Sequence, residues 1–301
     1  MKDRLRINPI LKKEMVVGSR SMKMSWAIMA VCGILTAIVV FILLINSYTS
    51  SGGIGYSYRS LIVLFPVLGC TECGLLSLMI PVITSGSISG EREKQTLDIM
   101  LTTPVSPMSI VTGKLWSAMM IVMMYMIASV PVMAIAFILG GLSWINLFGL
   151  FIMLLYLGIY VGSVGIFCSS FVKKSIAATI LTIVIGVGIL VGTTLVYYIG
   201  FIIINAYKVS TGNAFDTELG PVFVFLFNPY SPIFDFMVRA LSDSSIYEIM
   251  KDYSKNPFML VIYRFWIPIS MSINLLISYM FLKLAAGKIN GKVVRGRKKN
   301  G

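Results

Sequence analysis

The amino-acid sequence predicts an all-α membrane protein with six transmembrane helices. Of the 301 residues, 57% are apolar and 12% are charged, whereas a soluble domain carries about 25% charged residues. The apolar residues also fall in long runs, and a run of about 18 or more is typical of a helix that crosses a bilayer. The six runs comprise residues 24–45, 61–88, 115–139, 145–171, 176–204 and 265–282.

Basic residues follow the predicted loops and indicate how the chain is oriented. Lys and Arg number 25 against 12 Asp and Glu, which gives a formal net charge of +13. Six spans place most of the basic residues on one side of the membrane, and an excess of Lys and Arg in short loops marks the cytoplasmic side. The basic clusters are residues 2–23, 92–114, 173–174 and 283–299. We therefore expect cytoplasmic N- and C-termini, a secondary attraction to anionic lipid, and no nucleic-acid partner.

Residues 1–23 predict a cytoplasmic amphipathic helix that lies along the membrane surface. Asn8 suits the helix cap and Pro9 suits the first helical position. Apolar residues such as Leu11 recur at about helical spacing against basic residues such as Lys12 and Lys13, which is typical of helices in the headgroup layer. The helix is either an anchor for the first span or a contact for a partner protein.

The longest segment between two spans, residues 205–263, is expected on the external side. Its apolar stretches are too short for the hydrocarbon core of about 30 Å, and the sequence Asn-Pro-Tyr-Ser-Pro at 228–232 interrupts them. Re-entrant or interfacial helices at the outer mouth fit this pattern, and a separately folded external domain is the alternative. Residues 264–285 then form the sixth span, and residues 286–301 form a basic cytoplasmic tail.

The segment between the second and third spans predicts a short amphipathic helix on the cytoplasmic side. Gly90 is expected to end the second span, and residues 91–101 carry acids in the first helical turn, where the helix dipole favours them. Pro104 ends this helix, and Pro107 is expected to keep the next one from starting early. The apolar face consists of Leu97, Met100 and Leu101. A groove on a soluble partner can hold such a helix as a lever; a solvated charged loop is the alternative.

This segment resembles the cytoplasmic loop of ATP-binding-cassette (ABC) type-2 exporter permeases. The resemblance extends to Thr103-Pro104, to Gly113-Lys114, to the opening residues 8–14, and to the order of six spans with a long external segment before the last. It therefore covers nearly the whole chain as a single permease domain. Its most specific part is the run Gly90, Glu91, Arg92, Glu93, Lys94, Gln95, Thr96 and Leu97.

The resemblance implies a division of labour between subunits. Residues 90–101 would form the coupling helix that docks on a separate nucleotide-binding subunit, and residues 8–13 would belong to the connecting helix beside it. Two such subunits, with Mg-ATP bound to them, and two permeases, identical or related, would form the transporter. The expected function is efflux of a lipid, peptide, drug or ion across a bacterial or archaeal plasma membrane, with the direction given by the resemblance alone.

The chain is not expected to be an enzyme or to bind a cofactor. A P-loop requires G-x-x-x-x-G-K-[ST], and the Gly-Lys pairs at 113, 287 and 291 lack both the upstream Gly and the following Ser or Thr. No catalytic residue is therefore assigned. The chain contains no His, and Cys70 and Cys73 lack a second ligand pair, so no metal site is expected either.

Glu72 is the only charged residue within the six apolar runs. A charge at the bilayer centre costs about 2.5–3.5 kcal/mol on insertion scales, so such residues face a cavity or a partner. Glu72 either lines the transport route or is structural, being protonated, hydrogen-bonded or close to the outer surface. A secondary transporter or channel without an ATPase partner is the alternative function, but it would be expected to carry charges in several spans and inverted repeats.

Overall fold

A computed structural model describes most of the chain, and every regular element within the described residues is helical. The described residues are 22–49, 61–96, 106–140, 143–211, 217–242, 246–251 and 257–297. Six helices are long and apolar enough to cross a membrane, as the hydropathy pattern predicts. They are α1 (Met22–Thr49), α2 (Leu64–Glu93), α3 (Pro107–Gly140), α4 (Trp144–Phe171), α5 (Ser175–Thr211) and α9 (Trp266–Arg297).

The ends of these helices differ from the sequence-based expectations. The prediction that Gly90 ends the second span is wrong, because α2 continues through it to Glu93. Helix α3 begins at Pro107 and not before it, since a proline at the first helical position lacks only an amide that would have no partner in the helix. Helix α5 runs past residue 204 to Thr211 and α9 runs into the predicted tail as far as Arg297. Residues 1–21, including the predicted N-terminal helix, lie outside the described part.

Helix α4 occupies the centre of the bundle. In its most apolar stretch 72% of the residues are buried, against 17% in α1 and 11% in α5. Its small residues allow neighbouring helices to approach closely: a methyl group added at Gly162 would lie 2.8 Å from Leu115 of α3, and one added at Gly165 would overlap the side chain of Thr84 of α2. Close approach through small residues is how helices associate in lipid, where the hydrophobic effect does not drive them together.

The segment between α5 and α9 folds back into the bundle. Its elements are a 3-10 helix (Thr217–Phe227), α6 (Ser231–Ser242), α7 (Ile246–Lys251) and α8 (Pro257–Arg264). At the turn before α6, the Tyr230 hydroxyl donates to Ser77 Oγ at 3.0 Å and the Asn228 side-chain amide donates to Thr193 Oγ1 at 2.8 Å. Ser77 and Thr193 lie near the middle of α2 and α5. The turn at residues 228–231 therefore packs between α2 and α5, and we call it the re-entrant turn.

We predict that Gly165→Ala destabilises the protein, because its methyl group requires space that Thr84 occupies. Overpacking of this kind costs about 1–3 kcal/mol, which thermal unfolding in detergent can detect. The matched control is Gly188→Ala in α5, where an added methyl group meets no heavy atom within 4 Å. Equal thermal midpoints for the two variants would contradict the close packing of α2 on α4.

Candidate functional site at the charged end of the second helix

Helix α2 ends in a Schellman motif that turns the chain sharply away from the helix axis. The amide of Thr96 donates to the carbonyl of Glu91 at 2.9 Å, and the amide of Gln95 donates to the carbonyl of Arg92 at 3.1 Å. Gln95 has a φ of 56°, in the left-handed region that glycine usually occupies at this position. The last helical turn therefore contains Glu91, Arg92 and Glu93, and the chain leaves the helix axis directly after them. Successive helical residues point about 100° apart, so the three side chains face different neighbours.

Glu91 binds the beginning of α3. Its Oε1 lies 2.6 Å from Nζ of Lys114, and the exposed fractions of the two side chains are 26% for Glu91 and 3% for Lys114. An ammonium group buried to this extent is costly unless a negative charge compensates it. The ion pair therefore ties α2 to α3.

Arg92 binds the end of α4. Its Nη2 donates to the carbonyl of Ser170 and its Nη1 donates to the carbonyl of Val172, both at 3.0 Å. The last carbonyls of a helix have no partner within it, and they carry the negative end of the helix dipole. A guanidinium group satisfies two of these carbonyls at once.

Glu93 binds the beginning of α5. Its carboxylate accepts from the backbone amide of Ser175 at 2.8 Å and from the Ser175 hydroxyl at 3.0 Å. The first amides of a helix also lack partners within it, and a negative charge is favoured beside them. Three consecutive residues of α2 thus bind three other helices, and we call the side chains of Glu91, Arg92 and Glu93 the clasp.

A set of hydroxyl groups supports the clasp one turn deeper in the bundle. Ser169 Oγ of α4 accepts from the backbone amides of Ile88 and Ser89 at 3.0 and 2.9 Å. The hydroxyls of Ser85 and Thr179 lie 2.5 Å apart, which connects α2 to α5. These contacts were not predicted from the sequence, although serines at 85 and 89 share one helical face, which indicates a polar interface.

The clasp residues were predicted to face a soluble partner, but in the structure they contact helices of the same chain. Lys94, Gln95 and Thr96, which follow them, are exposed. The other predicted coupling residues, Leu97, Met100 and Leu101, lie in a stretch that the structure leaves undescribed, as do Asn8, Pro9, Leu11, Lys12 and Lys13. Lys114 and Ser175 are the partners that sequence reasoning missed.

Glu72 lies away from the clasp, in the interface between α2 and α3. It is 2% exposed, and its Oε1 lies 2.5 Å from the Ser129 hydroxyl, whereas its Oε2 has no hydrogen-bond partner among the described residues. The same hydroxyl lies 2.8 Å from the carbonyl of Met126. The Ser129 hydroxyl therefore links Glu72 of α2 to α3.

An uncharged cavity of about 400 Å³ lies beside the re-entrant turn. Among the described residues, no group of three His, Cys, Asp or Glu side chains could hold a metal ion. The cavity is lined by Tyr197, Val222, Phe225, Asn228, Tyr230, Ser231, Phe234 and Trp266.

Six long apolar helices, with charged groups gathered at their ends, define a polytopic α-helical membrane protein. A family model described as ABC-2 family transporter protein matches residues 9–283. The chain therefore belongs to the ABC-2 transporter family and is a membrane permease, a transport component that is not itself catalytic. None of the curated proteins compared with the chain matches it.

We predict that Arg92→Gln lowers the free energy of unfolding by about 1–3 kcal/mol, because two partly buried helix-end carbonyls lose a charged donor. Thermal and chemical unfolding in detergent measure the effect. Lys94→Gln, which removes a charge from an exposed neighbour, should change stability by less than about 0.5 kcal/mol. Arg92→Lys should restore only part of the loss, since an ammonium group lacks the planar fork that reaches both carbonyls. Equal stability of the Arg92→Gln and Lys94→Gln variants would contradict the clasp.

Proposed function

We propose that this chain is the permease subunit of an ATP-driven exporter, and that the clasp carries the motion of a separate nucleotide-binding subunit into the bundle. The observation that carries the proposal is the contact of three consecutive residues of α2 with α3, α4 and α5. The end of α2 cannot shift as a rigid body without displacing the ends of these three helices or breaking the clasp. Family membership supports an ATP-binding partner in general.

The clasp end of the bundle is proposed to face the cytoplasm of a bacterial or archaeal cell. Lys94, Lys114, Lys173 and Lys174 lie at the ends of helices on this side, and short cytoplasmic loops are rich in such residues. Because six spans separate the two termini, both termini lie on the same side. The re-entrant turn then opens toward the exterior.

The surface that contacts the nucleotide-binding subunit, which we call the coupling surface, is proposed to begin directly after the clasp residues. Residues 97–101, with Leu97, Met100 and Leu101 as an apolar face, are proposed to lie in a groove of the nucleotide-binding subunit, and the exposed Lys94, Gln95 and Thr96 lead into it. The amphipathic segment with Asn8, Pro9, Leu11, Lys12 and Lys13 is proposed to lie beside the same subunit. Binding of Mg-ATP in the partner would move this surface, and the spans would respond as rigid bodies.

Two copies of the nucleotide-binding subunit and a second permease, identical or related, are proposed to complete the transporter. Helix α5 is the least covered of the long helices, and we place the second permease against it. The exported substrate is a lipid, peptide, drug or ion. The cavity beside the re-entrant turn has no charged residue in its lining, which favours uncharged or amphipathic groups at that point.

Glu72 is proposed to be protonated and structural. The Ser129 hydroxyl has one hydrogen and two oxygen neighbours, Glu72 Oε1 and the Met126 carbonyl. Both contacts are satisfied when Ser129 donates to the carbonyl and a protonated Glu72 donates to Ser129. A neutral carboxyl also avoids burying a charge in the membrane interior.

We predict that Leu97→Arg abolishes co-purification with the P-loop protein that we expect the neighbouring reading frame to encode, because a charge replaces the apolar anchor of the coupling helix. Arg92→Gln should retain the complex, since both Nη atoms of Arg92 are already bound to the carbonyls of Val172 and Ser170. Lys251→Glu, an exposed change at the opposite end of the bundle, is the control and should retain it too. An intact complex in the Leu97→Arg variant would refute the coupling assignment.

We predict that Glu72→Gln leaves both the thermal midpoint and the ATPase rate of the complex nearly unchanged, because the glutamine amide can donate to Ser129 as the protonated carboxyl does. Ser129→Ala removes that partner and should cost about 1–3 kcal/mol. Both variants are measured in lipid nanodiscs. An ATPase rate that collapses in Glu72→Gln, at normal stability, would instead indicate that the carboxylate ionises during transport.

A further inference from the structure

We propose that a groove between the end of α4 and the last turns of α9 binds an anionic phospholipid. The groove has a volume of about 650 Å³. Helix α4 ends at Phe171, close to the clasp, and α9 runs toward Arg297 at the same end of the bundle. The groove therefore lies at the clasp end. We call it the α4–α9 groove, and its lining residues are Phe171, Tyr279, Met280, Lys283, Leu284, Gly287 and Lys288.

The polar part of the groove is positively charged. Lys283 and Lys288 both line it, and neither forms an ion pair with a carboxylate among the residues that the structure describes. Nζ of Lys288 lies 4.9 Å from the centre of the Phe171 ring, which holds one ammonium group over the groove by a cation–π contact. Two ammonium groups in one groove, with no carboxylate in the lining, complement a phosphodiester group.

The rest of the groove is apolar and faces the membrane. Tyr279, Met280 and Leu284 are 54%, 62% and 53% exposed, so they offer a surface for acyl chains. Lys283 and Lys288 lie near the end of the apolar part of α9, which extends to Ile289, and basic side chains at this depth meet lipid headgroups. A free phosphate would use only the two lysines, whereas a phospholipid uses both parts of the groove.

Gly287 keeps the groove open. A methyl group added at this position meets no heavy atom within 4 Å, so a larger side chain can be placed there without disturbing α4 or α9. Gly287→Leu therefore fills the groove while both lysines remain. This variant separates binding in the groove from general attraction of lipid to a basic surface.

The test is lipid retention by the full-length protein in detergent, measured by native mass spectrometry with phosphatidylglycerol and phosphatidylcholine of identical acyl chains. The wild-type protein is expected to retain one phosphatidylglycerol molecule with a preference of about tenfold or more. Lys283→Gln with Lys288→Gln should abolish the preference, and Gly287→Leu should prevent retention of the molecule. The matched control is Lys173→Gln with Lys174→Gln, which removes two exposed charges at the same end but outside the groove, and which should retain the lipid.

Four results would overturn the proposal. Equal retention of the two lipids would exclude headgroup selection, and equal loss in the control double variant would indicate diffuse charge attraction. Displacement of the lipid by millimolar inorganic phosphate would identify a free-anion site. The permease is also measured with its nucleotide-binding subunit bound; release of the lipid on formation of that complex would show that a protein, and not lipid, covers the groove. Thermal midpoints verify that every variant is folded.

Discussion

The turn between α4 and α5 places the negative end of one helix dipole beside the positive end of the next, and α2 neutralises both with adjacent side chains. Arg92 satisfies the last carbonyls of α4, and Glu93 satisfies the first amide of α5. Helix ends carry unsatisfied groups that must find partners when water is scarce. A single residue pair of opposite charge meets this requirement for two helices, and Glu91 adds a third helix through Lys114. The end of α2 is therefore the point at which four helices are joined.

The helices in the interior of the bundle are closely packed and joined by side-chain hydrogen bonds. Gly162 and Gly165 let α4 pack closely against α3 and α2, and hydroxyl contacts of Ser85 and Ser89 connect α2 with α5 and α4. Closely packed interfaces tend to have discrete arrangements and do not deform continuously. Helix α2 also contacts the re-entrant turn through Ser77 and Tyr230, so the same helix connects the clasp with the opposite half of the bundle.

Hydropathy was sufficient to predict the number and order of the long helices, because a bilayer requires long uncharged runs whatever their partners are. It was not sufficient to predict where those helices end. Gly90 and Pro107 are local breakers by composition, yet α2 runs through the first and α3 begins at the second. The end of α2 depends on the Schellman hydrogen bonds of residues 91–96, which form with a glutamine in the position that usually holds glycine.

The roles of the charged residues could not be read from local sequence for a related reason. In the sequence, a solvated helical turn is the natural interpretation of Glu91, Arg92 and Glu93. Their partners in the structure lie 23, 80 and 82 residues further along the chain, respectively. Glu72 is a similar case, because its hydrogen-bond partner Ser129 lies 57 residues away. Pairing across such separations is a property of the folded bundle.

The most direct test of the clasp is a distance measurement in the intact complex with the nucleotide-binding subunit. Spin labels are placed on the exposed residues Ile127 of α3 and Val184 of α5, in a background in which Cys32, Cys70, Cys73 and Cys168 have been replaced. Binding of Mg-ATP is predicted to change the distance between the labels in the otherwise wild-type permease, and to leave it unchanged in an Arg92→Gln variant that still holds the subunit. The same nucleotide-dependent change in both proteins would show that the helices move without the clasp.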